Sequence, residues 1–172
     1  AIDLTLGWVA NHGIQIHSDA DDITIHNVHF VDIGEQMLKV SHRADDNMSS
    51  DNGLVQWSLF EYSSGVGPQY YIGGIDAHRA RNWVVRQNIF KHIRSPELSL
   101  AEHAIHFWSD SENTLVDQNI IINCDRGIGF GLGERGHIGG VIRNNMVHTI
   151  RDVGIGLESA SLVKVFHNTV FT

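Results

Sequence analysis

The chain is poor in several residues that mark specialised folds. A single cysteine, Cys124, excludes an internal disulfide and leaves the redox compartment unmarked. Only 2 prolines accompany 17 glycines, a ratio that fits many tight corners in an ordered chain rather than disorder. Basic residues are scarce: 12 Lys and Arg against 20 Asp and Glu give a formal net charge of −8. This balance argues against a nucleic-acid binder, which usually shows a basic face, and a polyanionic substrate would need a locally basic site. No run of 18 apolar residues occurs, so no membrane-spanning helix is expected. Histidine, in contrast, is abundant, with 12 in 172 residues. Apolar residues make up 42% and charged residues 19%, as in an ordinary globular domain with one core.

A short motif recurs six times: ITIHNVHF (23–30), GLVQWSLF (53–60), WVVRQNIF (83–90), TLVDQNII (114–121), GVIRNNMV (140–147) and VKVFHNTV (163–170). Its third position is always β-branched, its eighth always apolar, and its sixth is Asn in four successive copies: Asn88, Asn119, Asn145 and Asn168. Successive copies start 30, 30, 31, 26 and 23 residues apart. A second motif lies between them: GIQIHS (13–18), MLKVSH (37–42), GIDAHR (74–79), AIHFWS (104–109), GIGFGL (127–132) and GIGLES (154–159). Its apolar residues alternate with period two, as in Ile75/Ala77 and Ile105/Phe107, which predicts strands with one buried face.

Two strands per irregular period, with no helical stretch between, predict an all-β parallel β-helix of about six coils. Like residues then stack on like, and an Asn column at a corner can hydrogen-bond from coil to coil. The whole of 1–172 reads as one β-helix domain. It opens in what already looks like a coil and stops on a strand pattern, so it is expected to be excised from a longer chain that supplies capping elements. Cys124 is expected to fill core space, and Trp57 and Trp83 to serve packing.

On these two stacked motifs the chain resembles the pectin-lyase-like right-handed parallel β-helix superfamily. That group includes polysaccharide lyases, uronan epimerases and some glycosidases. The resemblance implies a polysaccharide substrate or ligand, an extracellular or periplasmic setting, and no nucleic-acid or membrane partner. It leaves the oligomeric state open.

Stacking turns register into a prediction of neighbours about 4.8 Å apart on adjacent coils. The second motif's outward residues form two columns: Gln15, Lys39, Asp76, His106, Gly129, Gly156, and His17, Ser41, His78, Trp108, Gly131, Glu158. Lys39 and His106 should flank Asp76, with His78 beside it on the same face. His42, Arg79 and Ser109 follow just past the strands. A solvated polar face is the ordinary reading of such columns; three His, one Asp and one Lys within four coils point instead to a site. The long excursions 42–52, 61–73 and 91–103 border the same coils and carry Tyr62, Tyr70 and Tyr71, candidate walls for stacking on sugar rings.

GIDAHR resembles the Asp-Pro-His element of mannuronan C5-epimerases. The resemblance implies that Asp76 and His78 take part in proton abstraction at C5 of a uronic acid. Ala77 stands in place of the proline, Gly73 where several members have tyrosine, and Ser109 where a related coil bears arginine. Chemically, abstraction beside a carboxylate needs a base near neutral pKa, for which histidine is suited, and a cation to hold the charge, such as Lys39 or Arg79. The candidate catalytic set is therefore Asp76, His78, His106 and Lys39. The candidate substrate-binding set is His17, His42, Arg79, Trp108, Tyr70 and Tyr71. The residues do not separate lyase from epimerase. Asp76 and Glu158, three coils or about 14 Å apart, are too distant for a glycosidase pair. Asp76 and His78 are expected to face solvent, so that replacing either leaves the stack folded.

A metal set of His17, His78, His106 and Asp76 has suitable ligand types, but flat sheet columns rarely converge on one ion, so no metal is assigned. The acidic corners Asp19/Asp21/Asp22 and Asp45/Asp46 are candidate Ca²⁺ ligands, with solvated turn acids as the more ordinary reading. No other cofactor is implied. The reading from a different class is a non-catalytic carbohydrate-binding or cell-surface module.

Overall fold

The computed structural model describes residues 1–42 and 48–171. Among them are 23 strands and no helix, arranged in three parallel sheets of twelve, six and five strands. Every coil after the first crosses all three sheets before climbing to the next, which makes a parallel β-helix.

The first sheet carries the first motif. Its β-branched column pairs coil to coil as Ile25, Val55, Val85, Val116, Ile142 and Val165. Its apolar column runs Phe30, Phe60, Phe90, Ile121, Val147 and Val170. The three phenylalanines stack face on face with centroids 4.6 and 4.5 Å apart inside the core. After the first copy, where Thr24–Val31 is one strand, each later copy of the motif is split into two. Its fifth position adopts a left-handed backbone in every copy, at Asn27, Trp57, Gln87, Gln118, Asn144 and His167, with φ between 50° and 57°. The residue just before each copy does the same, at Asp22, Asn52, Asn82, Asn113, Gly139 and Leu162. These left-handed residues turn the chain at fixed corners, at a cost of about 1 kcal/mol or more each, least for Gly, Asn and Asp.

The corner bonds offset that cost. Asn119 Oδ1 accepts from both the backbone N and Nδ2 of Asn88, while Asn119 Nδ2 donates to Val85 O and Asn145 Oδ1, at 2.9–3.1 Å. The same pattern links Asn145 to Asn168. In earlier coils a serine takes the place: Ser58 N donates to Asn88 Oδ1, and Ser58 Oγ accepts from Val28 N.

The second sheet stacks Ile14–Ile16, Gln36–Val40, Gly73–His78, His103–Trp108, Arg126–Phe130 and Ile155–Leu157. The short third sheet, in strands such as Ala80–Arg81 and Ser111–Glu112, was not signalled by the two motifs. Trp83 is fully buried and donates its indole N–H to Ser50 O. Trp57 differs from the packing expectation: its left-handed backbone turns it outward, 57% exposed, to donate to Gln87 Oε1. Cys124 is wholly buried, its thiol pushed up to about 12 chiefly by desolvation. In the last coil Leu157, Val165 and Val170, core positions elsewhere, are exposed.

Candidate functional site

The register brings the first outward column together as the sequence predicts. Gln15 pairs with Lys39, Lys39 with Asp76, Asp76 with His106, His106 with Gly129, and Gly129 with Gly156. His78 pairs with Trp108 in the second column. On this frame Lys39 Nζ donates to Asp76 Oδ2 and, at 3.0 Å, to His78 Nε2. An ammonium has only donors, so His78 accepts at Nε2 and carries its ring proton on Nδ1. Asp76 Oδ1 receives the Trp108 indole N–H at 2.7 Å and lies 3.6 Å from His78 Nε2. Burial pushes the Asp76 carboxyl up, but its neighbours His78, Lys39 and His106 together outweigh it and hold the group below the usual carboxylate range.

The expectation that Asp76 and His78 face solvent fails. Asp76 is 4% exposed and Lys39 is buried; His78 is largely covered. The side chains leave the sheet on its outer side, but neighbours close over them. Trp108 lies against His78, with ring centroids 4.4 Å apart, and stacks on His106 at 5.4 Å with planes 3° apart. His106 is only 1% exposed, and its Nε2 donates to Gly131 O at 3.2 Å. His106 thus positions Trp108 from beneath and offers no nitrogen to the surface.

What remains open is the corner beyond the strand. His42, Arg79, Ser109, Asp110 and Arg135 line a hollow of about 350 Å³. His42 lies 5.5 Å from the His78 ring. Arg79 and Ser109 both sit in the left-handed region, at φ 47° and 51°. Arg79 approaches Asp110 at 3.7 Å, and the Arg135 guanidinium lies 5.4 Å over the Trp108 ring. Of the candidate binding residues, His42, Arg79 and Trp108 therefore gather with His78. His17 is exposed, with its Nδ1 3.4 Å from Ser41 Oγ, and does not line this hollow. Tyr71 meets His12, at 6.3 Å between rings, and Tyr70 is exposed; neither lines this hollow. Tyr62 is no groove wall, because it is buried and donates its hydroxyl to Ile33 O.

A second group lies at the other end of the same strands. Glu102 Oε2 is 4.0 Å from His103 Nδ1, 3.8 Å from His106 Nδ1 and 3.9 Å from Arg126 Nη1. Glu102, His103 and His106 are the one such cluster with metal-ligand spacing among the described residues. Of the four residues first weighed as metal ligands, only His106 belongs to it. Burial, helped by Asp76, raises the Glu102 carboxyl, and burial holds His103 well below the ordinary histidine value. The segment before the strand is pinned by Asp125, whose Oδ2 accepts from Ser95 N, Ala101 N and Arg151 Nη1.

Arg135, Glu102, His103 and Arg126 were missed by sequence reasoning. His103 was hidden because strict alternation from Ile105 points it inward. In fact Ala104 and Ile105 are both in the core, and this pair of inward residues returns His103 to the outer side, its ring above Gly129. Among the candidate Ca²⁺ ligands, Asp21 Oδ1 accepts from Asp51 N and Asp22 Oδ1 from Asn52 Nδ2, as corner acids do. Asp45 and Asp46 lie outside the described residues.

Residues 12–172 match the family described as right handed beta helix region, and the chain belongs to that family. No curated protein and no solved structure matches it.

Proposed function

We propose that this β-helix acts on an acidic, uronate-containing polysaccharide by abstracting the C5 proton, as a lyase or an epimerase. The observation that supports this best is the Lys39–Asp76–His78 contact beside the hollow lined by Arg79 and Arg135. In this reading the sugar carboxylate sits between the two guanidinium groups, which suit planar oxyanions. Arg135 takes the place left by Ser109, where the related epimerase coil bears arginine. Lys39 donates to Nε2, so that nitrogen carries the lone pair that acts as the base once the ammonium is withdrawn. As the carboxylate draws the ammonium away, Nε2 takes the C5 proton, and the C5–H electron pair moves into the carboxylate as an enediolate. Loss of the C4–O bond then gives the unsaturated product; return of a proton to the opposite face gives the epimer. An extracellular or periplasmic setting belongs to the same proposal.

The burial of Lys39, Asp76 and His106 favours a second reading, a carbohydrate-binding module that uses only the Arg79/Arg135 corner. One experiment separates the two. Protein incubated with alginate, pectate or chondroitin is followed by ultraviolet absorbance for unsaturated product and by NMR for changed uronate configuration. Catalysis predicts a signal that His78→Ala removes by at least about a hundredfold. A signal unaffected by His78→Ala, or sugar binding without either signal, overturns the catalytic reading.

A further inference from the structure

His106 is held in one tautomer. Its Nε2 donates to a backbone carbonyl, Gly131 O, which has only lone pairs to offer. Its Nδ1 therefore presents a bare lone pair, buried and without a hydrogen-bond partner, 3.8 Å from a carboxylate oxygen of Glu102. His103 Nδ1 is likewise buried and unpartnered, and faces the same oxygen at 4.0 Å. Both imidazoles are buried, and electron pairs converging on one carboxylate oxygen repel unless a cation lies between them. Close by, the Gln36 carboxamide and the Glu102 Cβ fill the space above the Cα of Gly73, and Gln36 is wholly buried with neither amide atom bonded.

We propose that Glu102, His103 and His106 bind a divalent first-row transition ion of the zinc class. Two imidazoles and one carboxylate are the donor set that such ions select over Mg²⁺ or Ca²⁺. A histidine whose second nitrogen donates to a backbone carbonyl is the usual support for a metal ligand, since it fixes tautomer and ring orientation. Zinc–nitrogen bonds of about 2.0–2.1 Å set ligand atoms roughly 3.3 Å apart in a tetrahedron. The Glu102–His106 and Glu102–His103 pairs, at 3.8 and 4.0 Å, exceed that by less than about 1 Å, and all three ligand atoms lie within 4.8 Å of one another. Asp125 supplies rigidity by tying both Ser95 N and Ala101 N to the stack, directly before Glu102. Arg126 already approaches Glu102, but its Nε is held by Asp152 Oδ2 at 2.9 Å, so it has a partner to keep when an ion displaces it. His103 and Arg126 also line a hollow of about 150 Å³ along the Gly129–Gly156 column, on which a fourth, open coordination position can face. The site does not depend on the uronate reading, because it is built from different atoms and its occupancy is measured without substrate.

The test is a titration of chelator-stripped protein with Zn²⁺ against a chromogenic competitor, with Co²⁺ as a spectroscopic probe. One equivalent is expected, with visible bands of a four- or five-coordinate cobalt site and a raised Tm. His103→Gln and His106→Gln should each weaken binding at least tenfold. Arg126→Gln, a half-exposed position whose change spares the fold, should tighten it severalfold by removing the competing cation. His167→Gln, on a distant exposed residue, should change nothing. The proposal is overturned if stripped protein takes up no ion. It is equally overturned if the ion binds as tightly to a folded His103→Gln/His106→Gln protein, or if Arg126→Gln leaves the affinity as it was.

Discussion

The asparagine corner and the outer side of the second sheet are both columns of buried polar groups, yet they complete their hydrogen bonds differently. At the corner Asn119 and Asn145 each meet a carboxamide above and below, and donors and acceptors alternate along the column. On the second sheet the first four rungs, Gln15, Lys39, Asp76 and His106, all differ. Lys39, Asp76, His106 and Gly129 follow one another in register, and Gln36, His103 and His106 keep unbonded polar atoms. Groups that repeat and satisfy one another hold a scaffold together. Buried groups that do not repeat and keep unbonded polar atoms are where a ligand is to be sought, as proposed for Glu102, His103 and His106.

The largest effect should come from Asp76→Ala, which strands the Lys39 ammonium in a covered site. A loss of about 3–5 kcal/mol in unfolding free energy by denaturant titration is expected. The double replacement Lys39→Met/Asp76→Leu should recover most of it. If the single change costs nothing, the second sheet's face is solvated after all and the contrast with the corner disappears. Asn119→Ala should cost roughly 2–4 kcal/mol, because it leaves bonds from two neighbouring coils unmade. Asn168→Ala, at the exposed end of the ladder, should cost less than about 1 kcal/mol by the same measurement. Equal losses would mean that the ladder does not act through shared burial.

A smaller effect concerns His137, which is buried, stacks on Phe130 at 4.0 Å and bonds Thr114 Oγ1 at 3.0 Å. Desolvation lowers its pKa to about 4. Between the unfolded value near 6.5 and that value, the unfolded chain binds the extra proton, so stability is full above about pH 6.5 and falls as pH drops through 4. His137→Phe should flatten this acid slope, by on the order of 1–2 kcal/mol at pH 5. An unchanged slope would assign it to other groups.

The core columns and the asparagine ladder were legible because each rests on a fixed offset repeated in several copies, and stacking converts an offset directly into a contact. The neighbours of Asp76 were legible for the same reason. What alternation alone could not show was cover. Trp108 sits in its predicted rung, but register does not show its ring turning over His106. Arg135, which reaches that ring from the next turn, and the stretch that brings Glu102 beside His103 are placed by segments that leave no periodic trace. The paired inward residues Ala104 and Ile105 also broke the parity by which His103 would have been assigned to the outer side. Tyr62 was misread for a related reason: an aromatic ring in a long excursion looks exposed until the excursion is seen to fold back.

The ladder has a bearing on how the stack assembles. Because each carboxamide holds the main-chain amide of the preceding rung as well as its own counterpart, a coil added one residue out of step would lose both attachments and turn its apolar set to water. Growth therefore proceeds by clicks rather than by sliding: a newly laid turn either finds its seat or comes off again.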